Sequence, residues 1–168
     1  MSQIDQIFQC GILTLSDKGA RGQRLDTSGP QLKEQLSGGG PFVIRRQAII
    51  SDDLESIAAT LRDWVDNDKL QLILTTGGTG VSPRDNTPEA TRAVLEREVP
   101  GIAEAMRAES LTKTPHAMLS RGVAGIRKGC LIINLPGSER GARENLAVIL
   151  TALPHAIAKI CGCQVDCG

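Results

Sequence analysis

Apolar residues in this chain gather into four short runs separated by amphipathic stretches. The first lies in Gln6 to Ser16 (IFQCGILTLS) and is almost continuously apolar, the pattern of a strand buried on both faces of a parallel sheet. Phe42 to Ile50 (FVIRRQAII) is the second, with Arg45-Arg46 marking a less buried half, and Leu70 to Thr76 and Cys130 to Leu135 (CLIINL) are the third and fourth. Between them the period changes from two to that of a helix. Pro30 opens one with Leu32 and Leu36 on one face, ended by Gly38 to Gly40; Leu54, Ile57, Ala58, Leu61, Trp64 and Val65 define another over 54–67. Thr87-Pro88 starts a third that runs to about Arg97, Pro100 breaks it, and Gly101 to Thr112 forms the next around Ile102, Met106 and Leu111. Thr114 to Arg127 reads as irregular, with room for short edge strands. A closing helix spans about Ala142 to Cys161, with Leu146, Ile149, Leu150 and Leu153 on its apolar face and Pro154 as a kink or break. Strands alternating with helices predict a three-layer α/β/α sandwich with a mostly parallel central sheet and right-handed crossovers.

In such a fold the carboxyl ends of the parallel strands share one edge, where ligands bind. Four polar turns therefore converge there: Ser16-Asp17, Ser51-Asp52, Thr75 to Asp85, and Pro136 to Ser138. Asp17 to Gly29 (DKGARGQRLDTSG) belongs to the same edge, as a loop long enough to suggest a function. The third turn is the most informative. Gly77, Gly78 and Gly80 allow positive φ and let an anion approach backbone N–H groups, while Asp85 sets a carboxylate beside them. The loop lacks the glycine of a dinucleotide fingerprint, with Pro83 in its place, and the Gly-Lys-Ser/Thr of a Walker loop. Two readings stand side by side: a tight turn with Thr87 as N-cap, or an anion cradle. Asp52 and Asp53 likewise fit helix capping or chemistry. The edge favours chemistry, since Asp52 and Asp85 beside a glycine loop are a ligand set that Mg²⁺ uses with phosphate oxygens and water.

Composition narrows the field. At 168 residues the chain suits one domain, 1–168, with a short cysteine-bearing tail at about 160–168. Lys plus Arg and Asp plus Glu each number 19 and are scattered, which gives no electrostatic footprint for nucleic acid or a membrane surface. Two Phe, one Trp and no Tyr leave no stacking platform for bases. No run is long enough to span a bilayer and MSQIDQIFQC is not a signal peptide, so a cytoplasmic location is expected. Cys10 and Cys130 read as buried small hydrophobes. Cys161, Cys163 and Cys167 read as a reduced tail, with a structural zinc site as the lesser reading because paired CxxC spacing is absent.

TTGGTG followed by PRDNTPEAT, then MLSR, GIR and IINLPGS, resembles the molybdopterin adenylyltransferase family, which includes bacterial MogA and the G domain of gephyrin. The resemblance covers about Ile12 to Ile157. TGGTG by itself also occurs in the related MoaB proteins and in molybdate-inserting domains. The resemblance implies a cytosolic homotrimer that transfers AMP from Mg-ATP to molybdopterin, releases pyrophosphate and passes its product to a molybdate-insertion protein. It also implies that Asp52 and Asp85 are catalytic and bind Mg²⁺. Ser110, Ser120 and Asn134 would lie on the pterin side, and Ser16, Asp17, Gly77, Gly78 and Ser138 on the nucleotide side. Thr76, Gly80, Arg121, Pro136 and Gly137 complete the implied binding set. Arg84 and Arg121 fit added positive charge and solvated surface equally. Ser51 departs from the proline that relatives carry before the aspartate, and the tail after Lys159 lies outside the pattern. The α-phosphorus of ATP would be attacked by the terminal phosphate of molybdopterin, already ionised at neutral pH, so no strong base is needed, and His116 and His155 have structural contexts. A MoaB-like protein that binds molybdopterin without efficient adenylylation, or an oligomeric scaffold domain, are the alternatives.

Overall fold

The computed structural model describes residues 6–163, so Cys167 and the first five residues lie outside it. The chain runs β1 (Phe8–Leu15), α1 (Asp17–Ala20), α2 (Ser28–Gly38), β2 (Phe42–Ile50), α3 (Leu54–Asp66), β3 (Leu72–Thr76) and α4 (Thr87–Arg92). It continues through β4 (Arg97–Glu98), α5 (Pro100–Leu111), a 3-10 turn (Pro115–Leu119), β5 (Ala124–Arg127), β6 (Cys130–Leu135), α6 (Glu139–Ile149) and α7 (Leu153–Ile160). Among the described residues six strands form one sheet in the order β2-β1-β3-β6-β5-β4. β2, β1, β3 and β6 are mutually parallel, β5 pairs antiparallel with β6, and β4 pairs antiparallel with β5.

Alternation along the strands divides the core in two. Phe8, Cys10 and Ile12 of β1, Leu72 and Leu74 of β3, and Leu131, Ile133 and Leu135 of β6 pack under α2, α5, α6 and α7. Leu13, Leu15, Ile73, Cys130 and Ile132 face α3 and α4. Both faces are covered, which makes a three-layer sandwich and accounts for the near-continuous apolar runs. Burial pushes the Cys10 thiol up to about 12 and raises that of Cys130 too, which leaves both inert packing groups. Cys161 and Cys163 are exposed and free. Among the described residues no helix is long and apolar enough to cross a membrane.

Several boundaries differ from the sequence reading for identifiable reasons. The helix after Thr87 ends at Arg92 instead of about Arg97, because Glu96 N–H donates to Ile126 O (2.9 Å) and the chain turns into β4. The closing helix is two: Pro154 sits in the first turn of α7, where its missing N–H costs nothing. α6 starts at Glu139 because Ser138 caps it. The Asp17 to Gly29 loop contains α1, and α2 starts at Ser28, before Pro30. β5 is one strand in from the edge, since Lys128 (φ 42) and Gly129 (φ 85) form a two-residue hairpin turn that folds β5 against β6.

Candidate active site

From β1 the chain crosses to β2 on one side and returns to β3 on the other, so the loops after β1 and β3 diverge and open a crevice at the strands' carboxyl ends. The glycine loop fills its floor. Gly77 (φ 106) and Gly78 (φ 65) adopt left-handed backbone; a Cβ on Gly77 would strike the Leu15 carbonyl, and one on Gly78 would strike Thr87 Oγ1. Thr87 holds the loop shut, its hydroxyl donating to Gly77 O (2.9 Å) and its N–H to Gly78 O (3.2 Å). The Gly77 N–H is spent on Leu135 O (3.2 Å), whereas those of Gly78, Thr79 and Gly80 have no partner among the described residues. Three unspent donors in consecutive residues suit an anion.

The carboxylates come from separate loops. Asp52 Oδ2 accepts from the Asp17 N–H (3.0 Å) and the Asp52 N–H donates to Asp17 Oδ1 (3.1 Å), which locks the turns after β1 and β2 together. Arg84 grips Asp17 with two bonds, Nε to Oδ2 (3.0 Å) and Nη2 to Oδ1 (2.8 Å), and holds its carboxyl below the usual range. Asp52 goes the other way: burial raises it, and the nearby charges of Asp17 and Asp85 raise it further. Asp85 Oδ2 accepts from the Ser82 N–H (2.9 Å). A buried carboxyl with two other carboxylates nearby is one that a bound cation would favour in its charged form. Among the described residues no group of three or more His, Cys, Asp or Glu is assembled to hold a metal. Asp52 and Asp85, from separate loops on one cavity wall, offer carboxylate oxygens of the kind Mg²⁺ takes beside phosphate oxygens and water.

Two cavities adjoin here. One, of about 330 Å³, is lined by Ser16, Asp52, Thr76, Gly77, Gly78, Asp85, Gly137 and Ser138, with Arg24 to Ser28 as a further wall. The other, of about 270 Å³ and more apolar, is lined by Gly80, Ser110, Ser120, Pro136, Ser138 and Asn145 among others. Ser138 belongs to both, and its hydroxyl accepts the Gly141 N–H (3.1 Å) at the start of α6. The N-terminus of an eleven-residue helix thus points at the junction.

Three residues of the implied set line neither cavity. Asp17 stands behind Asp52. Arg121 is a strap: Nε donates to Gly80 O (2.7 Å), Nη2 to Asp85 O (2.7 Å), and Nη1 pairs with Glu89. It fixes the glycine loop from outside, and neither it nor Arg84 is a free cation. Asn134 is 1% exposed; its Oδ1 accepts from Val123 N–H (3.2 Å), and Nδ2 donates to Thr75 Oγ1 (3.0 Å) and Thr91 Oγ1 (2.9 Å). Its amide is turned into the α4 layer. Asn145, which the sequence reading passes over, is the asparagine on the second cavity, with Nδ2 donating to Ser110 Oγ (3.0 Å) and Gly141 O (2.9 Å). The available signal was a polar residue beside Leu146 on the buried face of α6.

A family model described as "Probable molybdopterin binding domain" matches residues 11–155. Gephyrin of Dictyostelium discoideum is 47% identical over 159 residues, covering 89% of this chain, which spans 22% of that protein's length. A molybdopterin adenylyltransferase of Helicobacter pylori is 40% identical over 161 residues, covering 94% of this chain and 90% of that protein. Among solved structures, the molybdopterin biosynthesis enzyme MoaB of Thermus thermophilus is similar with TM-score 0.88 and 54% identity, over 93% of this chain and 98% of that one.

Proposed function

The chain belongs to the molybdopterin-binding family, and from that premise we propose that it is a molybdopterin adenylyltransferase of molybdenum cofactor biosynthesis. The observation that carries this is the pair of adjoining cavities that meet at Ser138, one with the Asp52 and Asp85 carboxylates and the Gly78 N–H, the other with more apolar surface, the Thr79 and Gly80 backbone, the hydroxyls of Ser110 and Ser120, and the charged Arg107, Lys113 and Glu144 at its wall. ATP occupies the first and molybdopterin the second. The terminal phosphate oxygen of molybdopterin attacks the α-phosphorus of ATP at the junction. A new P–O bond forms, the bond from the α-phosphorus to the bridging oxygen breaks, and its electron pair leaves with pyrophosphate. The attacking phosphate is already ionised, so no side chain has to remove a proton. The N–H groups of Gly78 to Gly80 hold phosphate oxygens, and the α6 N-terminus with Ser138 fixes the phosphate at the junction. Asp52 and Asp85 would hold Mg²⁺, which when bound neutralises the triphosphate and the departing pyrophosphate. Ser110, Ser120 and Asn145 orient the pterin through hydrogen bonds.

The resemblance supports a homotrimer in the cytoplasm that hands its product to a molybdate-insertion protein. A MoaB-like protein that binds molybdopterin without efficient adenylylation is the second reading, favoured by the 54% identity to the Thermus MoaB. Pyrophosphate release separates them, measured with ATP, Mg²⁺ and molybdopterin and with each omitted in turn. Release that needs all three and disappears in Asp85→Ala is the expected result. Molybdopterin binding without release would establish the second reading, and binding of neither ligand would leave an oligomeric scaffold.

A further inference from the structure

The glycine loop, Asp52 and Asp85 account for one part of the polar cavity's wall, and the strap Arg24 to Ser28 forms another that the phosphate chemistry leaves unused. Leu25, 83% exposed, gives that wall an apolar surface, and beside it lies Asp26. The Asp26 carboxylate is fixed at both oxygens by neutral donors: Oδ2 accepts from Thr14 Oγ1 (2.8 Å) and Oδ1 from the Gly29 N–H (3.0 Å). Among the described residues it forms no ion pair. Each carboxylate oxygen accepts two hydrogen bonds, so one position on each remains open. An ionised carboxylate repels phosphate oxygens, which cannot donate, and so the part of a nucleotide that fits it is one with donors. Ribose offers two such donors on adjacent carbons, spaced for the two oxygens of one carboxylate, and carboxylate recognition of ribose hydroxyls recurs in other nucleotide sites.

We propose that Asp26 reads the ribose: its two oxygens accept from the 2′ and 3′ hydroxyls of the bound nucleotide and make the site selective for ribonucleotides. This rests on the placement of ATP in the polar cavity given above. Asp26 also braces the start of α2 through Gly29, and a bracing role alone would weaken every nucleotide equally. A selective loss is therefore the distinguishing readout.

The test is calorimetric binding of ATP, 2′-deoxy-ATP and 3′-deoxy-ATP, each with Mg²⁺, to the full chain and to its Asp26→Asn and Asp26→Ala variants. A hydrogen bond to a charged group gives an expected wild-type preference for ATP on the order of 10- to 100-fold over either deoxynucleotide. The preference should shrink to a few-fold in Asp26→Asn, where the charge is lost but shape is kept, and vanish in Asp26→Ala. Equal wild-type binding of ATP and the deoxynucleotides overturns the proposal without need of any variant, as does an undiminished preference in folded Asp26→Ala. Failure of the wild-type chain to bind ATP at all would instead remove the nucleotide reading on which the proposal stands.

Discussion

Asn134→Ala separates what the structure says of this residue from what the family resemblance implies. In β6 the residues alternate between layers, and Asn134 follows Cys130 and Ile132 onto the α4 face, opposite Thr75 in the register with β3. Thr75 and Thr91 are fully buried and Val123 is 4% exposed, so water cannot replace the lost amide. The orphaned Val123 N–H costs about 1–3 kcal/mol, and each of the two lost amide-to-hydroxyl bonds about 0.5–1.5 kcal/mol. The sum is roughly 2–6 kcal/mol, centred near 4. For a chain of this size a loss of 1 kcal/mol lowers Tm by about 2–4 °C, which puts the expected fall at about 8–16 °C. Thermal and urea denaturation followed by circular dichroism would measure it, with molybdopterin binding titrated on the folded fraction. A fall under about 3 °C together with lost molybdopterin binding would refute the reasoning and return Asn134 to the pterin site. Asn145→Ala is the counterpart, expected to weaken pterin binding with a much smaller change in Tm.

Gly77→Ala should cost about 1–3 kcal/mol in backbone strain alone. Because its Cβ meets the Leu15 carbonyl, it should also displace the turn that carries Ser16 and Asp17 and lower ATP affinity by at least about tenfold. Gly101→Ala, in open space in the first turn of α5, is the neutral control; equal effects of the two on ATP titration would count against the cradle. Asp52→Asn tests the raised carboxyl through pH. The folded carboxyl lies above its ordinary value of 3.8, so the native state holds the proton more tightly than the unfolded one, and that contribution is lost as pH rises through the raised folded value. Melting without divalent ions should therefore show Asp52→Asn gaining on the wild type as pH rises through that window, and Mg²⁺ should stabilise the wild type alone. A variant less stable at neutral pH without metal would contradict the electrostatic account. Asp17 has the opposite sign: held low by Arg84, it contributes stability above 3.8 that is lost as pH falls, and Arg84→Met should flatten that acid limb in the same melts.

The chain's own pattern determined the layers, the parallel strands and the glycine loop, because these rest on short-range rules: continuous apolar runs for strands buried on both faces, helical spacing between them, and glycines where a Cβ has no room. It also determined that Asp52 and Asp85 meet, since parallel strands bring their carboxyl ends to one edge however far apart they lie in the chain. Other features depended on which groups a side chain finds across the fold, and spacing along the chain does not encode this. The Lys128-Gly129 turn makes β5 an inner strand, and pairing with it draws Glu96 out of its helix. Arg121 leaves the cavity because the carbonyls of Gly80 and Asp85 lie within reach of its guanidinium. Asn134 turns inward because Thr75, Thr91 and Val123 meet around it, and Asn145, on a different element, takes the open position instead. Tertiary packing decides these cases because a polar side chain is fixed by whichever buried partners would otherwise go unsatisfied.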